Sequence, residues 1–402
     1  MSTTATTTTT TTGAAGATTT LYLVTGAAGF LGSNVCAQLL ERGDAVRALV
    51  LPGDPAARYL PDEVEQVVGD LTDPADVERL FLVPEGTRTV CIHCASLVTV
   101  DPDYSEKLMC VNVDGTQNVI DACRAHPECA RLVYVSSTGA IPELPHGLRI
   151  KEVRHFYPYD ESRVVGWYSR TKAMATQRVL DAAREGLDAV VVHPSGILGP
   201  GDHAISETTR TLIDIINGKM PVGMAGSFNL CDVRDLAAGT IAAADRGRAG
   251  ECYILANEEV SLKELCDILR RDLGCKGCSV YLPLSVAKPI ARQMEAAARR
   301  TGDDPLMTSF SVYNLERNNR FDYTKAIREL GYAPRSYEET LHDIAAWLRE
   351  EGLVDVDSAA AGGGGTAAAG GRSGRAAAGP GAAAGAASEP DVVEVEAIIL
   401  EG

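Results

Sequence analysis

Leu21-Tyr22-Leu23-Val24-Thr25-Gly26-Ala27-Ala28-Gly29-Phe30-Leu31-Gly32 is the stretch whose reading decides the fold. Leu21–Thr25 is a short apolar run, which predicts a buried strand. Phe30–Arg42 predicts a helix: Leu31, Val35, Leu39 and Leu40 share one face, and Gly43 stops it. Between them, Gly26, Gly29 and Gly32 stand three residues apart. Glycines so spaced suit a tight turn, let backbone N–H groups approach a pyrophosphate, and let the helix pack closely on the strand. The helix N-terminus then faces the anion. At a strand-to-helix junction this pattern predicts dinucleotide binding through Gly26, Gly29, Phe30, Leu31 and Gly32. The usual companion is an acid at the end of the second strand, for a ribose hydroxyl. Leu51 stands there, with Asp54 and Arg58 in the loop beyond, so NAD and NADP both stay open. Gly69-Asp70-Leu71 follows the third strand. There Asp70 is either an acceptor for an adenine amino group or an acid heading the helix at Pro74.

Further strands are predicted at Ala45–Leu51, Val64–Val68, Thr89–Cys94, Leu132–Ser136 and Ala189–His193. Helical patterns at Pro74–Leu82, Ser105–Arg124 and Val165–Glu185 separate several of them. Strands alternating with helices at this spacing mean βαβ units and a parallel sheet. The expected fold class is α/β, a Rossmann-type doubly wound parallel sheet over residues 21–200. A smaller mixed C-terminal substrate lobe is expected over 201–355, closing over the carboxyl ends of the strands. Helical patterns there cover Ser206–Ile216, Asp235–Ala244, Leu262–Leu273 and Tyr337–Leu348. Residues 1–20 are Thr-rich and 356–402 begin with an Ala/Gly-rich stretch, so both read as disordered tails. Within the second, Asp391–Leu400 alternates apolar and acidic residues, a strand candidate or a frayed end.

Of the 402 residues, 37 are Lys or Arg and 54 are Asp or Glu, a net charge of −17. That field argues against a nucleic-acid partner. No apolar run is long enough to span a bilayer, and no membrane partner is expected. Eleven cysteines, an odd number set mostly in apolar runs, read as reduced thiols of a cytoplasmic protein.

Tyr168 and Lys172 lie four apart on one predicted helix, hence on one face. A phenol is too weak a base at neutral pH, and an ammonium one turn away favours the phenolate. Such a pair takes a proton from a hydroxyl or gives one to a carbonyl. Ser136-Ser137-Thr138 ends the fifth strand, at the ligand-binding edge of a parallel sheet, and His93-Cys94-Ala95 ends the fourth, where the small Ala95 leaves room for a cofactor.

Together these motifs resemble the extended short-chain dehydrogenases/reductases of the NAD-dependent epimerase/dehydratase superfamily. Asn112-Val113, Gly115-Thr116, Phe321-Asp322, Lys325-Ala326 and Glu329-Leu330-Gly331-Tyr332 add to the match. The resemblance implies Tyr168 as acid/base, with Lys172 binding the nicotinamide ribose and lowering the Tyr168 pKa. It implies Thr138 as the catalytic hydroxyl, and Asn112 as support for the fourth-strand region. Pro194 and Ser195 match backbone beside the nicotinamide, and Arg58 matches a second base in reductases that select NADP. It further implies a homodimer through the helices at Ser105–Arg124 and Val165–Glu185. Thr138 is followed by Gly139-Ala140, not the Asp-Glu of dehydratases. The look is that of dihydroflavonol reductases and 3β-hydroxysteroid dehydrogenases, enzymes that interconvert a secondary alcohol and a ketone on an apolar small molecule. A nucleotide-sugar 4-epimerase and a catalytically idle NAD(P)-binding sensor or scaffold are the alternatives. In epimerases an Arg for the substrate phosphates stands where this chain has Phe228; Arg234 is the only nearby substitute.

Cys91-x-x-Cys94 and Cys275-x-x-Cys278 have zinc-like local spacing, but no set of four ligands completes either, and no metal is expected. His93 and His193 read as strand-end hydrogen-bond partners. Met220, Met224 and Phe228 are core filler or pocket wall, and Phe156, Tyr157, Tyr159 and Trp167 carry the same two readings. A chain cut to residues 20–355 is expected to fold and keep its activity. Insolubility, or a sharp fall in melting temperature, would mean that the removed ends dock on the body.

Overall fold

The computed structural model describes residues 20–99, 101, 103–152, 163–301 and 307–354. Both tails, the Asp391–Leu400 strand candidate, and Phe156, Tyr157 and Tyr159 lie outside them. The first half alternates as expected: β1 (Thr20–Thr25), α1 (Phe30–Glu41), β2 (Ala45–Val50), β3 (Glu65–Val68), α2 (Pro74–Phe81) and β4 (Arg88–His93). Next come α3 (Glu106–Met109), a π-helical turn at Cys110–Asp114, α4 (Gly115–Ala125), β5 (Cys129–Val135), α5 (Trp167–Arg184) and β6 (Ala189–Pro194). The expected single helix over Ser105–Arg124 is therefore broken by the π-turn, which carries Asn112.

Beyond residue 195 the elements are β7 (Gly196–Leu198), α6 (Glu207–Ile216), β8 (Val222–Met224), β9 (Ser227–Asp232), α7 (Val233–Arg246), β10 (Cys252–Leu255) and β11 (Glu259–Ser261). The series closes with α8 (Leu262–Leu273), β12 (Val280–Leu282), α9 (Leu284–Thr301), α10 (Ser309–Glu316), α11 (Thr324–Leu330) and α12 (Tyr337–Glu350). Of these, α9, α10 and α11 have no counterpart among the expected helices. In α9 the buried residues are Ala287 and Ala291, with Leu284 packed beside them, and Pro289 stands inside the helix.

Seven strands form one parallel sheet in the order β3-β2-β1-β4-β5-β6-β10. Adjacent residues of each strand feed opposite faces. Val24, Val133 and Val190 enter one core with α1 and α7, while Leu23, Leu132, Tyr134 and Val191 enter the other with α2, α4 and α5. Cys91 belongs to the second core and Cys94 packs against the first, so the two thiols face apart as strand geometry requires.

The division expected at residue 200 does not hold for the sheet. β10 supplies its seventh strand, and α7 lies against α1. The reason is the composition of α7: Val233, Leu236, Ala237, Ile241 and Ala243 are apolar and small enough to fill the face beside α1. What remains beyond residue 195 is the smaller mixed lobe: a three-stranded sheet β11-β9-β7, the pair β12-β8, and a core from α6, α8 and α12. Its loops meet the strand ends of the main sheet, where His203 stacks on Tyr59 at 3.8 Å.

The order reverses between β1 and β4, and ligands of open α/β sheets bind outside the strand ends at such a point. Two glycines let the chain close there. Gly26 has φ +69°, and a Cβ on it would lie 2.5 Å from the Ala95 nitrogen after β4. A Cβ on Gly32 would lie 2.1 Å from the Gly26 carbonyl oxygen. Gly32→Ala therefore has to push α1 off β1. A lower melting temperature together with loss of nucleotide binding, followed by NADH fluorescence, is the expected result; unchanged values for both would contradict this packing.

Candidate active site

Helix α1 begins at Gly29 with no side-chain cap and no acid in its first turn. Its first N–H groups are thus open to an anion, which fits the pyrophosphate of a dinucleotide. Phe30 and Leu31 sit in that turn. Leu51 is exposed at the end of β2, and no carboxylate replaces it for a ribose: Asp54 caps the next turn by accepting from the Ala56 N–H at 2.9 Å. Arg58 is exposed, with its guanidinium 4.7 Å from the Tyr59 ring centroid and donating to the Tyr59 hydroxyl.

Asp70 is not the helix cap before Pro74; Asp73 is. One carboxylate oxygen of Asp70 accepts from the N–H and the hydroxyl of Thr72, at 2.9 and 2.8 Å. Asp70 also lines a cavity of about 690 Å³ with Thr72, Tyr104, Lys107, Cys110 and Asp114. Leu71 is buried against Gly115, where a Cβ would meet its side chain at 2.8 Å.

A buried chain of hydrogen bonds ties the ends of β1 and β4 together. Thr116 donates its hydroxyl to the Asn112 carbonyl at 2.7 Å, so His93 Nε2 carries the hydrogen toward Thr116 at 3.0 Å. His93 Nδ1 then accepts from Thr25 at 2.6 Å. Burial pulls the His93 pKa down to about 3, and the ring is a neutral strut. The Ala95 N–H donates to the Thr25 hydroxyl at 3.4 Å, so Ala95 sits directly beside the glycine turn.

Asn112 holds the next segment. Its Oδ1 accepts from the Leu97 N–H at 2.7 Å and from Ser96, and its Nδ2 donates to the Leu97 carbonyl and to the Thr171 hydroxyl at 3.1 Å. A π-turn inside a helix is a frequent device at functional sites. Here it carries the amide that joins the loop after β4 to α5.

The hydroxyl that acts on the Tyr168 phenol belongs to Ser137. The Ser137 hydroxyl is near enough to the phenol to favour its ionised form, and it accepts the Gly139 N–H at 3.0 Å. β5 ends at Val135, and the chain turns at once into a short 3-10 helix whose cap is Ser137; Thr138, the first residue of that helix, is buried. Gly139 must be small, because a Cβ would lie 2.9 Å from the Ser169 oxygen.

Burial pushes the Tyr168 phenol up, and the Ser137 hydrogen bond opposes it. Lys172 does not offset that rise here, contrary to expectation. Its ammonium is buried and turned to the Val135 carbonyl, to which it donates at 2.7 Å. Burial pulls its pKa down to about 7. His193 Nδ1 donates to the Ser137 carbonyl at 3.0 Å, and burial pulls the pKa of the ring down to about 4, so it is neutral. Pro194 ends β6. The Ser195 N–H is bound to the Leu255 carbonyl at 3.1 Å and its hydroxyl to the Cys231 Sγ at 3.3 Å.

Phe228 and Met220, both half-buried, pack on the core of the smaller lobe, while Met224, Leu284 and Met307 pack against Ala287, Ala291 and Val312. Trp167 meets Tyr104 edge-on at 4.8 Å, with the Arg170 guanidinium over its ring at 4.8 Å. All eleven cysteines are free thiols. No helix among the described residues is long and apolar enough to cross a membrane.

The model of the NAD dependent epimerase/dehydratase family matches residues 22–256. The chain belongs to that family. Sterol demethylase protein B of Methylococcus capsulatus is 31% identical over 336 residues, covering 83% of this chain and 99% of its own. A putative dihydroflavonol 4-reductase of Synechocystis is 32% identical over 83% of this chain and 96% of its own. The crystal structure of gox2253 superposes with a TM-score of 0.71 at 33% identity, over 83% of this chain and 99% of that one. The protein is thus an NAD(P)-dependent enzyme of the extended short-chain dehydrogenase/reductase group, with the Rossmann-type architecture of that group.

The buried ammonium yields a pH prediction. Burial pulls Lys172 down to about 7 in the folded chain, against an ordinary lysine value of 10.5. Between these values the unfolded chain binds a proton that the folded chain has released, so folding stability rises with pH across that window. The cost of burying the charge is fully present below pH 7. Lys172→Met removes it, so the melting temperature of the variant relative to the parent is expected to be highest at pH 6 and to decline by pH 9. A difference that stays flat with pH would show that the folded-state ammonium is not perturbed.

Proposed function

We propose that the protein interconverts a secondary alcohol and a ketone on an apolar small molecule, steroid- or flavonoid-like. The observation that carries this reading is the Ser137 hydroxyl on the Tyr168 phenol, with Lys172 one helical turn away. A bound nicotinamide supplies or accepts the hydride. The glycine turn, Asp70, Leu71 and Ala95 hold the dinucleotide in this reading, and Asn112 fixes the loop beside it. Ser137 orients the substrate oxygen and stabilises charge on Tyr168. Tyr168 gives its proton to the carbonyl oxygen during reduction and takes it back from the hydroxyl during oxidation. Lys172 turns from the Val135 carbonyl to the nicotinamide ribose. Burial to a pKa near neutrality lets its charge respond to what binds beside it.

The named relatives, one for sterol demethylation and one for dihydroflavonol reduction, support an apolar substrate. Two observations weigh against a nucleotide-sugar epimerase. Phe228 offers no donor and belongs to the lobe core. Arg234 is bound to Asp232 through its Nε and Nη2, at 2.8 and 2.7 Å, and pairs with Asp343 at 2.7 Å. A pyrophosphate therefore finds no free cation at either position, and an unpaired buried anion is costly. An idle scaffold has no need of Ser137, Tyr168 and Lys172 together. A homodimer through α4 and α5, and a cytoplasmic location, complete the proposal.

Tyr168→Phe is expected to keep nucleotide binding and to lose at least about a hundredfold in turnover of a ketone panel, the scale of a general acid. Ser137→Ala should lose more than Thr138→Val. Near-normal turnover in Tyr168→Phe would end this assignment. Calorimetry with UDP-glucose should show no low-micromolar binding, and C4 epimerisation without net change in NAD(P)H would replace the alcohol–ketone reading with the epimerase.

A further inference from the structure

Arg317 follows α10 and has only 8% of its surface exposed. Its Nε is sealed from solvent with no hydrogen-bond partner, and among the described residues no carboxylate pairs with its guanidinium. Glu143, the acid whose charge reaches it, is already engaged: it accepts from the Tyr313 hydroxyl and from the Asn318 N–H, each at 2.8 Å. The guanidinium instead lies 5.9 Å from the Phe321 ring centroid. Leaving a buried guanidinium without a hydrogen-bonded carboxylate works against folding. A residue kept at such cost points to a partner that arrives from outside.

The place of Arg317 says what that partner is. Phe310, Tyr313 and Arg317 stand at i, i+3 and i+7, on one helical face. The Phe310 ring fills the space left by Gly166, where a Cβ would lie 2.4 Å from it, two residues before Tyr168. Tyr313 reaches Glu143, six residues after Ser137. Phe321 packs with Ile141 and with Ile254 and Ala256 at the carboxyl end of β10. The face that ends in Arg317 thus leans on the two segments that carry Ser137 and Tyr168, and its other members are apolar or aromatic.

We infer that Arg317 is the receptor for a carboxylate on the substrate, which makes the substrate an apolar hydroxy acid or keto acid. This inference rests on the alcohol–ketone reading above and names its substrate class. A guanidinium fork matches the two oxygens of a carboxylate. One cation neutralises one carboxylate, whereas a pyrophosphate would keep an unpaired charge among Phe310, Tyr313 and Phe321.

The test compares 3-oxo-steroid carboxylic acids and medium-chain 3-oxo acids with their methyl esters, on the full chain and on Arg317→Met and Arg317→Lys. Binding is read by calorimetry and by melting temperature, and turnover with NADH and NADPH. At least one acid is expected to bind about tenfold to a hundredfold more tightly than its ester, the scale of a charge-assisted hydrogen bond. Arg317→Met should abolish that preference while leaving ester binding unchanged, and Arg317→Lys should restore part of it. Arg317→Met should also melt higher than the parent, since it removes an unpaired buried charge; a purely structural arginine would melt lower when lost. Equal binding of acid and ester, binding of neither, or an equal loss of both in Arg317→Met would overturn the inference. Arg317-dependent binding of an acid without turnover would leave the receptor standing and remove the alcohol–ketone reading. Turnover of neutral ketones with no preference for acids would do the reverse.

Discussion

One side-chain amide holds the site together. Asn112 spends both of its groups on backbone and side chains from separate elements: the loop after β4 on one side and Thr171 of α5 on the other. The helix it stands on widens into a π-turn, which places the amide between those elements. Thr116, one turn on, passes the same order to His93 and from there to Thr25 at the head of the glycine turn. The segment that cradles phosphate and the helix that carries Tyr168 are therefore linked through a few buried hydrogen bonds. Each bond in so dry a place is expensive to leave unmade, which is what keeps the geometry single.

A second constraint is electrostatic. Burial is the main cause that raises the Tyr168 phenol and lowers Lys172, His93 and His193, and the Lys172 charge adds to the fall of both imidazoles. The two imidazoles end as neutral struts. Lys172 ends near its switching point, and Tyr168 keeps its proton until something favours the phenolate. Ser137 is the group in place to do so. Burial also lowers Arg317, with the charges of Tyr313 and Glu143 opposing the shift.

Much of this was legible in the residue pattern, for reasons that differ by element. The β1-turn-α1 unit showed because steric demands fix glycines at set spacings. Tyr168 and Lys172 showed because a helical turn fixes their separation. That Ser137 lies by the phenol was not legible, because three hydroxyl residues stand in a row and only the backbone decides which one faces it. That decision is made by the turn into the 3-10 helix after Val135, which no side-chain pattern announces. β10 and α7 join the sheet across a long stretch of chain, so their place could not be read locally. α9 carries Pro289 within it, and a proline inside a sequence argues against a continuous helix. Arg317 was passed over because a charged residue in a sequence reads as surface.

The way the chain distributes itself between the two halves has a mechanical consequence. It leaves the sheet at β7, returns for α7 and β10, leaves again through β11 to α10, returns for α11, and departs once more for α12. The halves are interlaced rather than strung on a single joint. Any opening of the cleft has to bend several connections at once, so access for a substrate comes from small tilts of the upper half and from side-chain rearrangement, rather than from a wide swing. Neither half can be excised as an autonomous piece, since each would lose strands or helices that complete its core.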